Sequence, residues 1–112
     1  MPVLQRLKTT YILWHGYYKV FPKSVRHSLG QRIDTLFIEI IEAIVAASFL
    51  ARTEKLPFVR RAIQKLDTVK MLLLILWEVE GLTNKRYTAL SLPLDEIGKM
   101  LGGWNGQLTK QN

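Results

Sequence analysis

Leu4, Leu7, Tyr11, Trp14 and Tyr18 recur at steps of three and four residues, the spacing that lines one face of an α-helix. The pattern predicts a first helix over about Val3 to Val20. Phe21-Pro22 closes it, because proline lacks a backbone donor and restricts the residue before it. Ser24 then offers an N-cap oxygen to a second helix reaching about Ala51. Its stripe runs through Leu29, Ile33, Leu36, Ile40, Ala43, Ala47 and Leu50. Phe37, Ile41, Ile44 and Val45 widen that stripe beyond what one bundle face requires. Gly30, inside the same helix, costs up to about 1 kcal/mol relative to alanine, so close approach by a large group is expected there.

Thr53-Glu54-Lys55 marks the next break, with Pro57 expected in the first turn of a third helix, where a missing N–H costs little. Val59, Ile63, Leu66, Val69, Leu73 and Leu76 carry that helix to about Leu82. Its second half, MLLLILW from Met71 to Trp77, is apolar nearly all round, more than a monomer of this size can cover. Association between copies is the economical explanation. Gly81 and Thr83 read as a helix stop and a fresh N-cap. Tyr87, Leu90, Leu94, Ile97, Leu101, Trp104 and Leu108 then alternate steps of three and four without a slip. The phase persists through Pro93, which predicts one kinked fourth helix whose end frays or bends at Gly102-Gly103. Short connections make consecutive helices antiparallel neighbours. The expected fold is all-α, one up-down-up-down four-helix bundle domain over residues 1–112.

Composition narrows the setting. The chain has no cysteine, so disulfides and thiolate metal sites are excluded, and a reducing compartment, the cytoplasm, is expected. No charged start leads into an apolar block at the N-terminus, and the longest apolar runs, Ala43 to Ala51 and Met71 to Trp77, are far too short to span a bilayer. A soluble protein is expected. The net charge is +7, and a charge that large repels itself on compaction, which points to a polyanionic partner. Six cations and no acid lie between Met1 and Ile33: Arg6, Lys8, Lys19, Lys23, Arg26 and Arg32. A further six between Arg52 and Lys70 face only Glu54 and Asp67.

No catalytic constellation accompanies this charge, and neither metal nor cofactor is expected. His15 and His27 are twelve residues apart and read as ordinary surface or interface residues. Ser24 and Ser28 flank His27 without an orienting carboxylate. Adjacent Asp95 and Glu96 diverge by about 100° on a helix and cannot share a proton, whereas Glu96 and Lys99 are spaced to interact. Among the aromatics interleaved with Lys19, Lys23 and Arg26, the rings of Tyr11, Trp14 and Tyr18 belong to the core stripe, leaving Tyr17 as the candidate for stacking on a base.

Two segments together carry a resemblance. FPKSVRHSLGQRI, from Phe21 to Ile33, and DEIGKMLGGW, from Asp95 to Trp104, resemble in sequence and spacing the accessory variability determinant (Avd) proteins of bacterial and phage diversity-generating retroelements. A sister family, the four-helix proteins encoded in ribosomal RNA intervening sequences, shares the Phe-Pro-Lys opening but not the second segment. The resemblance implies a four-helix bundle assembled into a pentameric ring with a positive surface. It implies binding of nucleic acid, template RNA or DNA, and of the retroelement reverse transcriptase, in support of mutagenic copying and retrohoming. The family pattern has a basic residue where this chain has Leu74, which moves the expected contacts earlier on the third helix. The candidate nucleic-acid and partner contacts are therefore Lys23, Arg26 and Arg32 beside the Phe-Pro-Lys corner, and Arg60, Arg61 and Lys65 on the third helix. The competing expectations are a four-helix protein of the ribosomal RNA intervening-sequence type and a purely structural oligomer whose charge serves only solubility.

Overall fold

The periodic segments form four long helices: α1 (Pro2–Tyr18), α2 (Gln31–Ser48), α3 (Arg52–Glu78) and α4 (Asn84–Lys110). They come from a computed structural model that describes residues 1–110; Gln111 and Asn112, the end of the expected domain, lie outside the described residues. α1 packs on α2 and α4, and α3 packs on the same two helices, so α1 and α3 stand diagonally across a bundle of 46 × 21 × 20 Å. The chain reverses after each helix. The α1–α2 corner and the α3–α4 turn share one end, here the upper end, and the α2–α3 turn marks the lower.

α1 is fixed by aromatic packing. Trp14 is fully buried, stacked on Tyr18 at 5.5 Å and on Phe37 at 6.0 Å. The buried face is Val3, Leu7, Thr10 and Trp14, rotated from the expected Leu4-Tyr11-Tyr18 line, whose members are half-buried. Thr10 tolerates burial because its hydroxyl donates to the Arg6 carbonyl at 2.8 Å. α1 ends at Tyr18, before the expected Val20, and tightened bonds from Val20 N–H to Tyr17 O and from Phe21 N–H to Tyr18 O bend the chain away. Phe21 then packs edge-on against Trp14 at 5.7 Å, in the core.

Entry into α2 differs from the expected Ser24 cap. A short helical turn, Lys23–Val25, starts from Pro22 with no side-chain cap bond, and a π-helical turn, Arg26–Gly30, joins it to α2. Ser24 lies inside that first turn, where its carbonyl accepts the Ser28 hydroxyl at 2.7 Å. The expected large neighbour of Gly30 is Tyr18: a Cβ on Gly30 would meet its ring at 3.1 Å and the Val25 carbonyl at 3.0 Å.

α3 starts at Arg52, so Pro57 sits one turn deeper than expected, and its missing N–H leaves only the carbonyl of exposed Thr53 to be met by water. At the other end Gly81 N–H donates to Leu76 O at 2.7 Å and Glu80 N–H to Trp77 O at 3.0 Å, the paired bonds of a Schellman motif. The left-handed residue is Glu80 (φ 64°), and Gly81, which marks the helix stop as expected, is needed for space: a Cβ there would clash with Leu76 Cδ1. Thr83 caps α4 as expected, its hydroxyl accepting Arg86 N–H at 3.2 Å. α4 continues through Pro93 and through Gly102-Gly103 to Lys110, so the glycines do not end it.

Leu90, Leu94, Ile97, Leu101 and Leu108 are all buried, as the periodicity requires. The main core draws on all four helices, while a small lower cluster, Ala47, Val59 and Leu108, draws only on α2, α3 and α4. MLLLILW exceeds the interior: Leu73 and Leu76 are buried, but Met71 is 56% exposed and Ile75 37%.

Two stability measurements follow. Phe21→Ala should lower unfolding free energy by about 3–5 kcal/mol in denaturant melts, the range for removing a buried phenyl ring; a loss below about 1 kcal/mol would place the ring outside the core. Glu80→Gly should raise stability by about 0.5–1 kcal/mol, because it relieves the left-handed backbone cost while adding some unfolded-state entropy. An unchanged or lower midpoint would contradict the assigned helix stop.

Candidate nucleic-acid interface

Helix direction sorts the six candidate cations into two groups. Lys23, Arg26 and Arg32 lie at the upper end, and Arg60, Arg61 and Lys65 lie in the lower half of α3. No one pocket holds both. Among the described residues no carboxylate lies within ion-pair range of Lys23, Arg26, Arg32, Arg60 or Arg61. Arg26 reaches back to the Lys19 carbonyl at 3.4 Å, which orients its guanidinium over the corner.

The lower group is divided by the packing of α3 on α2. Lys65 pairs with Glu39 at 3.2 Å, so its charge is already partly neutralised. Arg61 lies over the Phe58 ring at 5.2 Å, a cation–π contact that keeps the guanidinium beside the helix. Arg61 and Lys65 together border a cleft of about 380 Å³ whose α2 wall is Glu39, Glu42 and Ala43. Two carboxylates there disfavour a phosphate. Arg60 is exposed and has no ion-pair partner among the described residues.

Other acids are drawn into pairs that the sequence did not suggest. Glu96 engages Arg6 on α1, not Lys99, and Asp95 engages Lys70 on α3 at 2.9 Å. Tyr17, the expected stacking ring, is half-buried, with the Arg86 guanidinium 4.9 Å from its centroid. One of its faces is therefore taken. His15 and His27 are exposed. No three His, Asp or Glu residues gather as metal ligands among the described residues, and no described helix is long and apolar enough to cross a membrane.

The residue that sequence reasoning passed over is Asp34. Its Oδ1 accepts the Tyr11 hydroxyl at 2.9 Å and the Trp14 indole N–H at 3.2 Å, tying α1 to α2 beneath the basic corner. The only signal was its position: the first acid after an acid-free stretch, on the i+1 side of the buried Ile33. Burial, then the Asp34 hydrogen bond and charge, pushes the Tyr11 phenol from 10.0 up to about 12.

Because the folded value lies above the unfolded one, the neutral phenol's contribution is complete below pH 10 and is lost as pH rises through about 12. The melting temperature should therefore fall across that window, and Tyr11→Phe should flatten the fall while lowering stability at neutral pH, where Asp34 would lose one donor. Parallel alkaline profiles for the two proteins would sink this account of Asp34.

No curated protein matches the chain. A family model described as bAvd-like matches residues 3–108, from the start of α1 through the last buried residue of α4. The match spans every helix described above, and this chain belongs to the bAvd-like family.

Proposed function

We propose that this protein is a non-catalytic accessory protein of a diversity-generating retroelement, binding template RNA or DNA and the reverse transcriptase to support mutagenic copying and retrohoming. It acts in the cytoplasm of a bacterial host as a homo-oligomer, a pentameric ring. The family match over residues 3–108 carries the reading. The surface supports it: the net charge is +7, and Lys23, Arg26, Arg32, Arg60 and Arg61 have no carboxylate partner among the described residues. Apolar side chains left in water on two sides of the bundle support assembly, with Ile12 61% and Met71 56% exposed. In a ring, repetition of each basic group would join positions that no single subunit brings together. Phosphate contacts of this kind position a nucleic acid without reading its bases, so sequence preference is weak.

Two measurements test the reading. Light scattering should give a mass several times 13.0 kDa, and a 13.0 kDa species at micromolar concentration would remove the ring. RNA affinity should fall with salt, each neutralised phosphate adding about 0.7 to the log–log slope for a single strand and about 0.9 for a duplex. Replacing Lys23, Arg26, Arg32 and Arg60 with glutamine should lower affinity uniformly across sequences and flatten the slope, leaving the mass unchanged. Unchanged affinity and slope would mean that the charge serves solubility or an acidic protein face.

A further inference from the structure

α1 and α3 both expose apolar residues at the centre of their outer faces, and both flank them with charge of one sign. On α1, Lys8, Ile12 and Lys19 are spaced by four and seven residues and share a face, since Lys19 continues the helical backbone at the C-cap. On α3, Asp67, Met71 and Glu78 repeat the same spacing, with Ile75 beside them. All seven side chains are exposed, and none of the four charged ones has an ion-pair partner among the described residues. The helices are diagonal, so the two faces look out from opposite sides of one bundle.

Their heights can be compared through α4. Arg6 on α1 reaches Glu96 and Lys70 on α3 reaches its neighbour Asp95, so Arg6 and Lys70 stand level. α1 and α3 run the same way. Counting at about 1.5 Å per residue from that level puts Ile12 near 9 Å and Ile75 near 7.5 Å. Lys8 and Lys19 each fall about 7.5 Å above Asp67 and Glu78 by the same count. Side chains on both helices lean toward their N-termini, downward here, so the longer four-carbon lysine stems have to take up the difference.

We infer that the outer face of α1 in one copy packs against the outer face of α3 in the next copy, with all copies the same way up. Lys8 meets Asp67, Lys19 meets Glu78, and Ile12 packs on Met71 and Ile75. This pairing presupposes the assembly proposed above and specifies its contact. Apolar contact supplies attraction, and the flanking charges fix partner and direction. Contact between two different faces is heterologous, and such contacts close into a ring when the rotation between copies closes and successive copies do not climb along the axis. Ile12 and Ile75, within about 1.5 Å of one height, fit the second condition, with the lysine stems spanning the offset of the charged pairs. A face of α1 paired with itself would set lysine against lysine.

The test is a charge exchange read by light scattering after nucleic acid is removed, with thermal melts as the folding control. Lys8→Glu with Lys19→Glu should reduce the wild-type mass to 13.0 kDa. Adding Asp67→Lys and Glu78→Lys to the same chain should restore it, because each copy then offers an acidic α1 to a basic α3. An oligomer that survives the double change, or a quadruple variant that stays monomeric though folded, overturns this contact and leaves the ring reading standing. A monomeric wild type overturns both.

Discussion

A carboxylate half withdrawn from water has to be met by donors, and Asp34 is met by two from the neighbouring helix, Tyr11 and Trp14. The two donors lie three residues apart on α1, so α1 can neither slide nor rotate on α2 without stranding one of them. That height places the Trp14 ring between Tyr18 and Phe37, turns Phe21 edge-on behind it, and lays Tyr18 across Gly30. The basic corner hangs from this lock, because Lys23 and Arg26 follow Phe21 directly and Arg32 stands just ahead of Asp34.

How much of this was legible depended on whether the deciding contact was local. The stripe from Leu90 to Leu108 and the Thr83 cap were readable because a helix of fixed period and one side-chain bond determine them. Gly81 was legible as the helix stop, but the left-handed conformation of Glu80 was not, because it depends on where α3 stops, and that depends on Leu76 packing against the turn. Ser24 looked like a cap by residue type, yet a π-helical turn moved the frame by which α2 begins. For the candidate site, residue type identified the cations but not their company. Lys65 is engaged by Glu39, twenty-six residues away, and Glu96 prefers Arg6 on another helix to Lys99 on its own. Pairings across the bundle are set by packing, which no local pattern encodes.

The distribution of charge is therefore more uneven than the composition suggests. Asp34 spends its charge inward, Asp95 and Glu96 are held by cations, and Glu39 is held by Lys65. What remains toward solvent at the α1–α2 corner is almost wholly basic. On α3 the cations of the lower half give way to Asp67 and Glu78 higher up. One helix thus offers surfaces of opposite sign to different neighbours.

The lower cluster has a consequence for how the molecule comes apart. Ala47, Val59 and Leu108 are held by three helices, whereas every layer containing Leu7, Trp14 or Phe21 has a fourth. Fewer apolar contacts cross each layer below, so local opening there costs less than opening at the corner. The lower ends of α2, α3 and α4 form the part of the molecule whose amides exchange with solvent first. The segment around Trp14 and Asp34 behaves as the slow unit, and the bundle unravels along its long axis from one end.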